Sequence, residues 1–358
     1  MRMKDNRGRE TLRDRIGKAA GGFRFQWLSE NRAALMGTAI VGICLCHYWQ
    51  ARRYHHLPWN ALASLLNMCV CFVDVFMLLS GMGCYCSFRK NPGIGSFYAR
   101  RFRRILPAYL LISQPHFLYR YVVRGRGGWG KMLRTLLFWD NLVKGSRQSW
   151  FVPAILLFYL LFPVLYYAVE SDRPKVTVPV MFGTVFALCF LLRYAAPSLY
   201  ANINIALERL PCFALGVCWG KACTRDKTMP GAAAGLLFAA LLLTQGIAHS
   251  HMTGLKNYLY YYRTGVLGIT LCLLLAVFFH RIRECTGGDI LIRILSWLGG
   301  FTLELYLVHT YIKVYFDYPA GVGSYLLLSV LLPVPAAWVF HRILQALGGM
   351  VRHRRQMV

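Results

Sequence analysis

The chain has 358 residues, 57% hydrophobic and only 15% charged, with a mean hydropathy of +0.42. Soluble domains carry about 25% charged residues, so a soluble globular protein is disfavoured, and the apolar content rules out disorder. Its 41 Lys+Arg against 14 Asp+Glu give a net charge of +27. These basic residues lie between long apolar runs, the habit of an α-helical membrane protein with basic loops rather than of a nucleic-acid binder. The runs are continuous rather than alternating, which disfavours a β-barrel.

A helix needs about 20 apolar residues to cross the hydrocarbon core. On that measure the sequence predicts ten spans, at roughly 31–50, 61–88, 105–123, 150–169, 177–195, 205–222, 230–249, 258–280, 294–314 and 324–341. The expected fold is therefore an all-α polytopic membrane protein. Residues 1–30 form a basic cytoplasmic segment, 31–345 one transmembrane domain and 346–358 a basic cytoplasmic tail. The stretch 131–142 is too short and too polar to cross, and reads as an interfacial or re-entrant piece. With the N-terminus inside, 26 of the 41 basic residues fall in inner segments and 10 in outer ones, which puts both termini in the cytoplasm. The charged start, with Arg9, Arg13, Arg15 and Lys18, reads as a signal anchor. It either lies on anionic headgroups or only sets the topology. The outer segment 120–149 breaks the charge rule, with Arg120, Arg124, Arg126, Lys131, Arg134, Lys144 and Arg147. Either the topology differs there or this loop meets something anionic outside.

The 12 Cys include Cys44/Cys46, Cys69/Cys71 and Cys84/Cys86. Two residues apart on a helix, such thiols point to different faces. They lack zinc spacing and read as small apolar packing residues, so no metal is implied. Ionisable groups inside a membrane are expensive and are functional candidates by default. Here they are His47, Asp74, Glu208, Arg209, Arg263, Glu304 and His309. Gathered into one polar cavity they suit an enzyme or a transporter better than a structural protein. The plain alternative for His47 and His309 is a hydrogen bond between helices.

Six pieces of the chain, in order, resemble the acyltransferase 3 family of integral-membrane O-acyltransferases. They are MGTAIVGICLCHYW ending near His47, FVDVFMLLSGMGCYCSF, FYARRFRRILPAYL with Arg101 and Arg104 as an Arg-x-x-Arg pair, SWFVPAILLFYLLFPVLYY, ERLPCFALGVCWGK and LGGFTLELYLVH ending at His309. The family has a basic residue eleven positions before the first-span His. Here that place holds Met36, with Arg32 four residues earlier on the same helix face. The fourth piece also lacks the Glu that many members carry, with Ile155 near its place.

The resemblance implies transfer of an acetyl or other short acyl group from acyl-CoA at the cytoplasmic side to a hydroxyl of an extracytoplasmic glycan or lipid-linked sugar. Acetyl-CoA is the preferred donor, as a co-substrate rather than a resident cofactor. The setting is the lipid bilayer of a bacterial inner or plasma membrane. Arg101 and Arg104, with Arg32, would hold the CoA phosphates, because a guanidinium fork matches phosphate oxygens. His47 would serve as general base or acyl carrier, with Asp74 orienting its imidazole. Tyr306 and His309, three apart on one face, would stand near the acceptor or the thioester carbonyl. Two other classes remain open: a transporter or flippase of a glycan or acyl group, and a non-catalytic sensor or assembly subunit.

Overall fold

The computed structural model describes residues 22–52, 66–283, 288–315 and 331–356. The expected basic segment up to residue 21, the outer segments around 53–60 and 316–323, His55, His56 and the start of the tenth expected span lie outside the described residues. Among the described residues the chain is helical throughout, apart from one isolated bridge between Arg24 and Thr228. In chain order the main helices are α1 (Arg32–Arg52), α2 (Phe72–Lys90), α3 (Ile94–Phe117), α4 (Gly128–Leu136), α5 (Phe151–Glu170), α6 (Pro174–Ala195) and α7 (Pro197–Leu207). They continue as α8 (Leu210–Thr224), α9 (Gly231–His249), α10 (Tyr260–Ile282), α11 (Gly288–Gly299), α12 (Thr302–Tyr315) and α13 (Pro333–Gln356).

Among the described residues, five helical runs are long and apolar enough to cross a membrane: Leu66–Lys90, Phe151–Glu170, Pro174–Ala195, Gly231–His249 and Tyr260–Ile282. A sixth arises if α11 and α12, bent by 72° at Gly300–Phe301, act as one broken span. The expected segments 105–123 and 205–222 meet helices that are more polar or shorter. Helix α3 carries four arginines in its first half, and α8 has 15 residues; within α1, Arg32–His47 is an apolar helical stretch among the described residues. The expected interfacial piece 131–142 folds as α4 followed by a single turn at Trp139–Val143.

Lipid-facing and core-facing helices differ as their sequences require. Helix α9 buries no residue and exposes Leu236, Phe238, Leu242 and Leu243. Helix α2 buries Val75, Met77, Leu78, Leu79 and Met82 in the shared core. Apolar side chains gain little by leaving lipid for another helix, so close backbone approach has to hold such a bundle together. Glycine provides it at two crossings. Between α2 and α8, a Cβ on Gly81 would stand 2.1 Å from the Phe213 carbonyl oxygen, and one on Gly216 would stand 2.0 Å from that of Leu78. Between α1 and α11, a Cβ on Gly37 would fall 1.8 Å from the Leu295 carbonyl oxygen, and one on Gly299 would fall 2.0 Å from that of Ala33. These crossings seat α1, which carries Arg32 and His47, and α2, which carries Ser80, Gly83 and Ser87, against the rest.

A Gly216→Leu substitution forces α8 off α2 and costs at least about 2 kcal/mol by overpacking. Its purified protein is expected to lose its monodisperse profile and to melt several degrees lower. Gly235→Leu on α9, where a side chain meets open space, leaves both unchanged. Equal melting of the two variants would contradict this packing.

Candidate functional site

A cavity of about 570 Å³ runs through the bundle, lined from α1, α2, α3, α5, α10 and α12 and from the loops flanking α5 and α8. All the charged side chains lining it are arginines: Arg32, Arg101, Arg104, Arg147 and Arg209. At one end stand Arg32, Arg101 and Arg104 with Ser80, Gly83, Ser87 and Tyr159. At the other stand His47, Arg147, Trp150, Phe151, Arg209, Tyr260 and Tyr261. Arg32 and His47 are fifteen residues apart on α1, or about 22 Å at 1.5 Å rise per residue.

The arginine end is built by spacing. Arg101 and Arg104 are three apart on α3 and share a face. The Arg101 guanidinium lies 5.3 Å from the Phe97 ring centre and 5.4 Å from that of Tyr159. One terminal nitrogen donates to the Gly83 carbonyl at 3.1 Å, while Nε has no hydrogen-bond partner. Arg32 donates to the Leu79 carbonyl at 3.4 Å. Gly83 makes room for it, because a Cβ there would stand 3.0 Å from its terminal nitrogen. No acid pairs with these three arginines among the described residues. Glu170, at the end of α5, is held by Lys221 at 3.3 Å, Arg225 at 3.7 Å and the Tyr85 hydroxyl at 2.6 Å. Three guanidinium groups facing one cavity without an acid give a place where an anion can be held, since a guanidinium fork matches phosphate or carboxylate oxygens.

The histidine end has a defined proton arrangement. His309 is buried, and its Nδ1 lies 2.9 Å from the Leu305 carbonyl oxygen one turn back on α12. A carbonyl only accepts, so Nδ1 carries the hydrogen and the Nε2 of neutral His309 is an acceptor. That Nε2 lies 2.9 Å from Nδ1 of His47, the two rings stacked at 5.1 Å and 20°. His47 therefore donates from Nδ1, and its basic lone pair resides on Nε2. Tyr306, one turn before His309, lines the cavity and packs against Phe151 and His309 at 5.3 and 5.8 Å between ring centres.

Asp74 was expected beside His47. It pairs instead with Arg209, at 3.3 Å, both side chains fully buried. Arg209 lies 4.4 Å from the Tyr261 ring centre and 5.2 Å from that of Trp150, and donates to the Ile205 carbonyl at 2.8 Å. The His47 ring meets another imidazole, and Asp74 belongs to a separate buried ion pair. Glu304 turns away from the cavity to His341 on α13, at 2.9 Å.

Of the residues expected from sequence, Arg32, Arg101, Arg104, His47 and Tyr306 line the one cavity, and His309 stands against His47. Met36 lines it one turn from Arg32, so Arg32 stands on the face where the resemblance looks for a basic residue. Sequence reading missed the aromatic walls Tyr159, Trp150, Tyr260 and Tyr261. It also missed a buried network beside them. There the Tyr311 hydroxyl meets the hydroxyls of Ser113 at 2.7 Å and Ser149 at 2.6 Å, and its ring stacks on His116 at 4.2 Å. A histidine inside an apolar run was the signal for His116.

The acyltransferase 3 family model, described as an acyltransferase domain, matches residues 34–342, which is most of the chain. No curated protein and no solved structure matches it.

Removing one partner of a fully buried ion pair leaves an uncompensated charge and costs roughly 3–5 kcal/mol, whereas replacing both with apolar groups is close to neutral. Asp74→Leu alone is expected to unfold at clearly lower temperature in detergent, and Asp74→Leu with Arg209→Met to recover most of the loss. A double variant no better than the single one would refute the pairing.

Proposed function

The chain belongs to the acyltransferase 3 family, and from that premise we propose that it moves an acetyl or other short acyl group from acyl-CoA to a hydroxyl of an extracytoplasmic glycan or lipid-linked sugar. Acetyl-CoA is the preferred donor. The chain works in a bacterial inner or plasma membrane, as ten spans with both termini in the cytoplasm. One observation carries this reading: a single cavity joins three arginines lacking acidic partners to a histidine whose basic nitrogen is set by a second histidine.

The donor and the acceptor then meet inside the membrane. The phosphates of CoA lie among Arg32, Arg101 and Arg104, and its long flexible arm carries the thioester along the cavity towards His47. Nε2 of His47 takes the proton from the acceptor hydroxyl as the oxygen attacks the thioester carbonyl. The new C–O bond forms, the C–S bond breaks, and the proton passes from the His47 imidazolium to the departing thiolate. Throughout, His309 accepts from Nδ1 and holds the ring in this orientation. Such general base catalysis is worth about 10²–10⁴ in rate. An acyl-carrying His47 would use the same nitrogen.

The test is acetyl-CoA binding to the purified protein in nanodiscs, beside transfer assays. A hydrogen bond to a charged group contributes about 1.5–3 kcal/mol, so Arg101→Ala/Arg104→Ala is expected to raise Kd at least tenfold. His47→Ala keeps its affinity for acetyl-CoA and loses transfer by about 10²–10⁴. His309→Gln, which retains an acceptor for His47, keeps more activity than His309→Leu. Binding indifferent to the arginine double variant would sink the donor assignment.

A further inference from the structure

The arginines at one end of the cavity are accounted for by the donor; Arg147, at the other end, is not. It comes from the segment between α3 and α5, which carries seven basic residues and a single acid, Asp140. That acid already has basic neighbours of its own. It meets Lys131 at 2.9 Å, Arg134 at 3.7 Å and Lys144 at 3.9 Å, and takes a hydrogen bond from Thr135 at 3.0 Å. Burial raises the Asp140 carboxyl pKa, but Lys131, Thr135 and Lys144 outweigh it and hold the value below the usual carboxylate range. Glu208, beside Arg209 in the chain, accepts from the Tyr200 hydroxyl. Arg209 already has Asp74. Arg147 has only neutral partners: one of its terminal nitrogens donates to the Ala201 carbonyl and to Asn204 Oδ1, each at 3.1 Å.

The turn that carries Arg147 is built rather than loose. The Asn141 amide donates to the carbonyls of Ser146 at 2.7 Å and Gln148 at 2.8 Å. The Asn202 amide donates to the Val143 carbonyl at 2.8 Å. Gln148 donates to Nε2 of His116 at 3.1 Å and accepts from Tyr121 at 2.9 Å. Ser149 sits at φ +53°, a region costly for a residue with a side chain. Its hydroxyl meets that of Tyr311 within the buried network. This strained corner sends Arg147 and Trp150 into the same cavity, where Trp150 joins Tyr260 and Tyr261. Aromatic faces with a few directed polar groups make a platform for a ring-shaped ligand. A fixed guanidinium beside them is worth little to a neutral sugar and much to an oxyanion. A basic loop on the translocated side also opposes insertion, a cost that a ligand-binding role accounts for.

We propose that the acceptor is an acidic glycan, with a carboxylate or phosphate oxyanion that pairs with Arg147 while the sugar ring rests on Trp150, Tyr260 and Tyr261. This rests on the acyl-transfer reading and narrows its acceptor. The two oxyanions share one chemistry, so the experiment separates them.

The full chain in nanodiscs receives radiolabelled acetyl-CoA and the envelope glycans of the cells that express it, divided by anion exchange into retained and unretained pools. Label is expected in the retained pool. Arg147→Gln raises KM for that pool about tenfold, the loss of one charge-assisted contact, while kcat and acetyl-CoA affinity hold. Arg147→Lys recovers most of the loss. Methyl-esterifying the pool abolishes labelling if the partner is a carboxylate, and enzymatic dephosphorylation abolishes it if the partner is a phosphate. Label confined to the unretained pool overturns the proposal, as does retained-pool labelling indifferent to both treatments and to Arg147→Gln. Acetyl-CoA binding without a labelled glycan in any pool overturns the acceptor assignment. Absence of acetyl-CoA binding overturns the acyl-transfer reading instead.

Discussion

Arginine charge inside an apolar bundle is the constraint on which this structure turns. A guanidinium keeps its proton even when buried, so it has to find a partner, a polar carbonyl, an aromatic face or a ligand. Five arginines line the cavity, and three of them show how differently the charge is handled. Arg209 is closed off by Asp74 and two rings. Arg101 is steadied by Phe97, Tyr159 and the Gly83 carbonyl. Arg32 reaches the Leu79 carbonyl across a gap that Gly83 leaves. What remains is positive charge lining a cavity with no acid among the described residues to pair with Arg32, Arg101 or Arg104, an arrangement unlike that of a packed core.

The histidine end follows a different logic. An imidazole has two chemically distinct nitrogens, and a catalyst has to know which of them bears the proton. On α12 the backbone supplies the answer, because every residue in a helix interior has a carbonyl one turn back. His309 uses the carbonyl of Leu305 to fix its own tautomer, and passes the choice to His47. Two helices far apart in sequence thereby set one proton, and the bend between α11 and α12 brings His309 to that position.

Packing explains why the site holds its shape. Glycines let α8 lie directly on α2 and α11 directly on α1. Arg32, Arg101 and Arg104 project from α1 and α3, and Ser80, Ser87 and Gly83 line the same cavity from α2. Helices such as α9 need no such contacts, since their exposed side chains meet lipid. The same division separates the apolar surface, which is large and unremarkable for a membrane protein, from the cavity, which is small and polar at both ends.

Composition and the run of apolar residues determined the helical, membrane-embedded class, because a span is a property of twenty consecutive residues and needs no partner to be recognised. Spacing within single helices determined that Arg101 and Arg104 share a face, as do Tyr306 and His309, because helical periodicity is local. Which groups meet across helices was beyond that reach. Asp74 and His47 looked like natural partners in the sequence, yet Asp74 met Arg209 from α8's leading turn and His47 met His309 from α12. The aromatic walls, His116 and the strained corner at Ser149 were equally hidden, since each acquires its meaning from residues on other elements of the fold, dozens of positions or more away in the chain. Local order is written in neighbours along the chain. Pairing of buried polar groups is decided by which helices the glycine contacts allow to touch, and only the tertiary structure settles that.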